Sequence, residues 1–255
     1  MENVVLIVDE ASPVVAFVEA LGRLAIEGMP RSAVIGGVGV MCQLAAAHRP
    51  TADIDALVRD DVAPSAVEVL IAAGATRTAN GVDLGGVHID LLEVGDVPSI
   101  EDLPTDELER SFVIAHSWAL ATAEPMRVTA SNSNGQTFAS VRAEIATPAA
   151  LVAMKLHAIR QRRGPTLAKR GSDAYDMYRL FSRRDLDGSV AAALTNAPAG
   201  LGAWSAVQIE DLFVKEADRT ALWIRNALTS GTTSVVAEDL VAVGEAFIGL
   251  VRRDG

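Results

Sequence analysis

The sequence predicts an α+β protein: a mixed-sheet core in the first part of the chain, followed by a helical second part. Three observations predict this class. Short apolar strand patterns alternate with helical periods through the first 95 or so residues, and a polar, proline-marked stretch follows. From Thr147-Pro148 onward the pattern is almost purely helical. The shift places a subdomain boundary close to 146, giving a core over 1–146 and a helical subdomain over 147–255. With 255 residues, 50% of them hydrophobic and 22% charged, the chain can bury a full core without disulfide or metal staples.

Val4 to Val8 reads as a strand. Ser12-Pro13 is an N-cap followed by proline at the first helical position, and Val14, Phe17, Val18, Leu21 and Leu24 continue at helical spacing toward a stop at Gly28-Met29-Pro30. Ala33-Val34-Ile35 is a short buried strand entering Gly36-Gly37, with a helix expected over Val40 to Ala47. Ile54 to Val58 is a strand, and Ala63 to Ala73 a helix. Ala75 to Val82 and Val87 to Val94 flank Gly85-Gly86 as an expected antiparallel pair. Over 96–135, Pro98, Pro104, Pro125 and a Ser/Asn run predict short pieces, with strands near Met126 to Ala130 and Ser140 to Ile145. Helices are expected over Ala149 to Arg163, Ser172 to Ser182, Ile209 to Leu228 and Val235 to Val251.

Composition excludes several function classes. The lone Cys42 can build neither an internal disulfide nor a cysteine zinc site, and it points to a reducing compartment. No apolar run reaches the roughly 18 residues of a membrane span. Glu2 and Asp9 flank the first apolar stretch without a basic partner, so a soluble cytoplasmic protein is expected, with no membrane role. A formal charge of -11 disfavours sequence-blind adhesion to nucleic acid. Residues 155–184 run against that total: nine basic side chains meet only Asp173 and Asp176, a local +7 that leaves -18 for the remainder. This fits either a phosphate-facing surface or a helix pair whose arginines meet acidic partners elsewhere in the fold.

The chemistry concentrates in Gly36-Gly37-Val38-Gly39 and in Arg49-Pro50-Thr51-Ala52-Asp53-Ile54-Asp55. Asp53 and Asp55, one residue apart on a strand, project from the same side, so both carboxylates can converge on one hard cation or a metal pair. A glycine pair between strand and helix leaves amides at a helix amino terminus, where phosphate is accommodated. Asp90, in the otherwise apolar Val87 to Leu92, would complete a three-carboxylate site if its strand lay beside that of Asp53. Each feature alone also fits a plain turn or a solvated strand face. His88 reads as a strand-face histidine with no partner histidine nearby, and Tyr175 and Tyr178 as core or interface residues, or as rings that stack on a base.

In order, these pieces resemble the nucleotidyltransferase superfamily that includes DNA polymerase beta, and more closely the AbiEii-like nucleotidyltransferase toxins, the group with the mycobacterial MenT toxins. Lys155, in Ala149 to Arg160, resembles that family's helical lysine, and Asp173 and Asp176 its helical aspartates. The resemblance covers residues 33 to about 181 and implies a magnesium-dependent enzyme using one Mg2+ or a pair. Asp53, Asp55 and Asp90 would serve as metal ligands and catalytic carboxylates. Gly36, Gly37, Lys155 and Arg160 would hold an NTP such as ATP, with Asp173 or Asp176 positioning the lysine, and the helical subdomain would complete the cleft. The implied acceptor is RNA, at the tRNA 3′ end, and the implied role that of a toxin restrained by a cognate antitoxin protein. A small-molecule acceptor such as an aminoglycoside, or a silent nucleotide- or protein-binding relative, stands as the alternative. Many relatives carry serine where this chain has Gly37, so that hydroxyl is missing, and Thr51 stands too far along the chain to be assumed its substitute.

Overall fold

Strands form where the period-two pattern buries one face. In the third strand, Ile54 and Ala56 are fully buried while Asp53 and Asp55 are half-buried. The computed structural model describes residues 1–59, 61–228 and 235–251. The chain divides into two compact units: Met1–Val97 with Ala119–Thr147, and Pro98–Trp118 with Pro148–Gly255.

The first unit holds an eight-stranded mixed sheet built from β1 (Glu2–Ile7), β2 (Ser32–Ile35), β3 (Asp53–Arg59), β4 (Thr76–Arg77), β5 (Gly81–Leu84), β6 (Val87–Val94), β7 (Glu124–Ser131) and β8 (Thr137–Ile145). The spatial order is β1-β7-β8-β2-β3-β6-β5-β4. β1 runs parallel to β7, β2 to β8 and β3 to β6, and the other neighbours are antiparallel. Three helices belong to this unit: α1 (Pro13–Leu21), α2 (Gly36–Leu44) and α3 (Ala66–Ala72). Ser12 Oγ accepts from Val14 N at 3.3 Å, and Pro13 opens α1 as its sequence demands. A capping box between Ser65 and Glu68 starts α3. Val14, Phe17, Val18 and Leu21 of α1 join Ile54, Ala56, Val82, Ile89 and Val128 of the sheet in one hydrophobic core. Cys42 lies inside that core, and burial pushes its thiol up to about 12, so it is inert at neutral pH.

The single extended piece expected over Ala75 to Val82 is split by a bend into β4 and β5, and β5 forms the antiparallel pair with β6 around Gly85-Gly86. Two expectations are corrected. The helix after Gly36-Gly37 begins at Gly36 itself, so the glycines form its first turn instead of a separate loop. The short pieces expected over 96–135 include a fifteen-residue helix, α4 (Glu107–Ala121). Pro98, Pro104 and Pro125 all lie outside it, so the prolines frame this helix and do not interrupt it.

The second unit is helical. α5 (Pro148–Gln161) is buried on every face from Ala149 to His157, as a central helix must be. α6 (Lys169–Arg184), α7 (Ser189–Thr195), α8 (Leu201–Ile209), α9 (Ala217–Ala227) and α10 (Ala237–Val251) complete it. The single helix expected over Ile209 to Leu228 is interrupted: Glu210–Lys215 forms a π-helical turn before α9. Phe181 anchors the core, its ring centroid 5.5 Å from that of Phe213 and 4.3 Å from that of Phe247.

α6 and α9 approach each other across Gly171. A Cβ on Gly171 would lie 2.0 Å from the Trp223 carbonyl oxygen and 2.7 Å from Ala227 Cβ. Because that obstacle is backbone, the helices would have to part. Gly171→Ala is expected to lower unfolding stability by about 3 kcal/mol, read from denaturant titration; an unchanged midpoint would show the helices free to separate.

Two histidines sit in the same unit. His116 Nδ1 donates to the Phe112 carbonyl at 2.7 Å, and burial drives its pKa down to about 4. His157 approaches Ser111 Oγ at 3.1 Å and Gln161 Oε1 at 3.2 Å, and burial lowers it too. Their folded pKa values lie below that of an unfolded histidine, about 6.5. The unfolded chain therefore takes up protons first as pH falls. Stability present above pH 6.5 should drop as pH falls toward 4, by about 3 kcal/mol for His116. Denaturation at pH 7 and pH 5 checks this, and His116→Gln should flatten the dependence.

Candidate active site

Three carboxylates share one face of the first unit's sheet. Asp53 and Asp55 alternate to the side opposite the buried Ile54 and Ala56, and the parallel β3–β6 register sets Asp55 across from Asp90 and Asp53 across from His88. The strand order needed for a common carboxylate face is thus present. Ile35, the residue before the glycine turn, pairs with Asp55 in the antiparallel β2–β3 register. This brings the turn to the same place.

Gly36 takes a positive φ of 63°, and a Cβ on it would lie 1.8 Å from Asp55 Oδ2. Only glycine fits both constraints. The Asp55 carboxylate therefore rests against the first residue of α2, at the positive end of the helix dipole. No side chain caps this helix from Ile35, and the nine-residue α2 is fixed to the sheet further on, where Gln43 Nε2 donates to Ala146 O at 2.9 Å.

Gly37 is close-packed as well. A Cβ there would lie 2.9 Å from Arg49 Nη2 and 2.9 Å from Thr51 Oγ1. Thr51, which its distance along the chain gave no reason to place here, thus has its hydroxyl beside the position where the serine side chain would stand. α2 ends at Ala45, which adopts a left-handed conformation, and the chain doubles back to run antiparallel to β2. That return carries the Thr51 hydroxyl and the Arg49 guanidinium to the glycine turn. Both residues are half-buried. A hydroxyl, a guanidinium and a helix amino terminus together form a surface suited to a phosphate. Their signal was the Arg-x-Thr immediately before the Asp-x-Asp, readable as chemistry only once the turn is folded.

His88 lies on the strand face as expected, but it is not isolated. Its Nε2 sits 3.0 Å from Asp90 Oδ1, with both side chains about one-third exposed. Among the described residues no group of three or more His, Cys, Asp or Glu side chains is already gathered as a cation cage. The donor set nevertheless suits magnesium, which takes one or two carboxylates and keeps waters or phosphate oxygens for its other positions. Asp53 and Asp55 supply hard oxygens on one strand face, with Asp90 across from them.

The remaining expected site residues lie in the second unit. Lys155 Nζ is buried between Asp173 Oδ1 at 2.9 Å and Asp176 Oδ2 at 2.8 Å, an ion pair that joins α5 to α6. Asp173 Oδ2 also accepts from Arg162 Nε at 2.6 Å, a partner the sequence reading did not single out. Arg160, expected as a nucleotide contact that these aspartates could orient, bonds instead to Asp211 Oδ2 at 3.0 Å, across to the π-helical turn. Tyr175 is a core residue, and its hydroxyl accepts from Arg179 Nη1 at 2.9 Å. Leu212 and Phe213 are buried, whereas Leu222 is exposed and Trp223 is half-buried beneath arginines.

No protein-family model matches the chain, and no curated protein sequence matches it. Among solved structures, an antigenic nucleotidyltransferase-like protein from Paracoccidioides brasiliensis is similar over 86% of this chain and 93% of its own, with 15% identity and a TM-score of 0.43. No helix among the described residues is long and apolar enough to cross a membrane.

Proposed function

We propose that this chain is a nucleotidyltransferase that moves a nucleoside monophosphate from an NTP to an acceptor hydroxyl and releases pyrophosphate. The observation that carries this reading is the β3–β6 register, which gives Asp53, Asp55 and Asp90 one face beside the Gly36-Gly37 turn. Asp53, Asp55 and Asp90 would hold magnesium, one ion or a pair, whose chemistry when bound is to neutralise charge on the phosphates. The amides at the start of α2, the Arg49 guanidinium and the Thr51 hydroxyl hold the triphosphate. Asp90 takes the proton of the acceptor hydroxyl, fixed in orientation by His88. The new bond joins the acceptor oxygen to the α phosphorus as the bond to pyrophosphate breaks.

By the resemblance of its motifs, Lys155 contacts the triphosphate, Asp173 and Asp176 position that lysine, the acceptor is the 3′ end of tRNA, and the enzyme is a toxin held in check by an antitoxin. Support within the second unit is the pairing of Lys155 with both aspartates. The test is incubation with magnesium, labelled NTPs and total tRNA. Labelled tRNA with matching pyrophosphate is expected. Label on an aminoglycoside and not on tRNA would overturn the acceptor, and no pyrophosphate from any NTP with either acceptor would overturn the enzyme class.

A further inference from the structure

Around the carboxyl end of α5, within the second unit, guanidinium groups accumulate in excess of their acidic partners. Arg162 pairs with Asp173, which Lys155 already shares. Arg160 pairs with Asp211, and Arg219 approaches Glu216 at 3.4 Å. Arg163 Nη1 donates to the Arg162 carbonyl at 3.0 Å, as does Arg170 Nη2, so the hydrogen bonds of these two cations among the described residues go to neutral carbonyls of the helix end. Lys169, the first residue of α6, is exposed. Of the six cations Arg160, Arg162, Arg163, Lys169, Arg170 and Arg219, three pair with Asp173, Asp211 and Glu216, and Asp173 and Asp211 are shared with Lys155 and Lys215 as well.

The centre of the cluster is aromatic. The close approach at Gly171 sets α9 against α6, and both the Arg170 and Arg219 guanidinium carbons lie over the Trp223 ring, at 5.3 and 4.9 Å from its centroid. Burial first, and then the like charges of Arg163, Arg219 and Arg160, hold the Arg170 guanidinium below its usual range, with Glu216 acting in the opposite direction. Two donors there, Arg160 Nε and Arg170 Nε, are buried without an acceptor among the described residues.

We propose that this cluster, from Arg162 through Arg170 and Trp223 to Arg219, docks the phosphodiester backbone of single-stranded nucleic acid. Five of its six cations are arginines, whose planar forks match phosphate oxygens in a way lysine does not. The positive groups are spread over the end of α5, the start of α6 and α9, a series that suits successive phosphates of a chain better than one mononucleotide. With a total charge of -11 the protein lacks a general attraction for polyanions, so binding is confined to this patch. The site rests on the arginine geometry and needs no transfer chemistry.

The experiment is fluorescence anisotropy of the full chain with a labelled single-stranded RNA of about 20 nucleotides, without NTP or magnesium, so that failure of nucleotidyl transfer leaves it unaffected. The double variant Arg163→Gln/Arg219→Gln changes exposed side chains only. It is expected to weaken binding about tenfold or more and to reduce the salt slope by about 1.4. Arg170→Gln, with circular dichroism confirming the fold, should weaken binding as well, and Arg77→Gln in the first unit should not. No binding by the unaltered protein, unchanged affinity and slope in the double variant, or equal competition by poly-glutamate, which would point to an acidic protein partner, would each overturn the proposal.

Discussion

Replacing Asp55 with asparagine is expected to lower nucleotidyl transfer by about a thousandfold or more, with little change in melting temperature. The substitution keeps the shape and removes the charge. Asp55 is the residue on which the proposed site converges: it pairs with Ile35 of β2 and Asp90 of β6, and its carboxylate lies against Gly36. Glu93→Gln makes the matching control, an exposed carboxylate further along β6. Gly36→Ala should reproduce the loss by another route, since its new Cβ would occupy the place of an Asp55 oxygen and its backbone would be strained at positive φ. Pyrophosphate release and acceptor labelling measure all three. Retained activity in Asp55→Asn would remove this sheet face from the chemistry.

How much of this was legible in the sequence depends on the range of the interaction. The Asp-x-Asp face was legible because a strand alternates strictly, and Asp53 and Asp55 needed no partner strand to share a side. The α1 start was legible for the same local reason, through Ser12 and Pro13. Thr51 was not, because its place beside Gly37 depends on how the chain returns after Ala45, which spacing along the sequence does not encode. α4 was hidden by prolines that proved to frame it. The basic run of 155–184 was visible as charge, but nothing in it says that α9 would lay Trp223 under two guanidiniums, since helix pairing is a tertiary fact. The resemblance named Lys155 and the two aspartates together, and their ion pair joins residues from two helices that no local pattern connects.

That ion pair gives the largest expected loss of stability. Lys155→Met keeps the length of the side chain and removes the ammonium, leaving Asp173 and Asp176 buried without the charge that now lies 2.9 and 2.8 Å from their oxygens. Breaking one side of a buried pair costs about 3–5 kcal/mol, because the remaining charge stays desolvated. Asp173 keeps Arg162, and Asp176, which is fully buried, loses the ammonium now 2.8 Å from its Oδ2. Lys155→Met/Asp176→Asn should therefore recover part of the loss, since the second change removes a buried charge whose ammonium partner the first one has taken away. Urea titration of the two variants against the unaltered chain decides this. Recovery in the double variant would show that Lys155 and Asp176 stabilise the fold as a pair. Transfer activity measured on that refolded variant would then separate a pair that only holds two helices together from one that also serves the reaction: activity restored with stability leaves Lys155 and Asp176 purely structural, and activity still absent from a stable protein gives the pair a part in transfer.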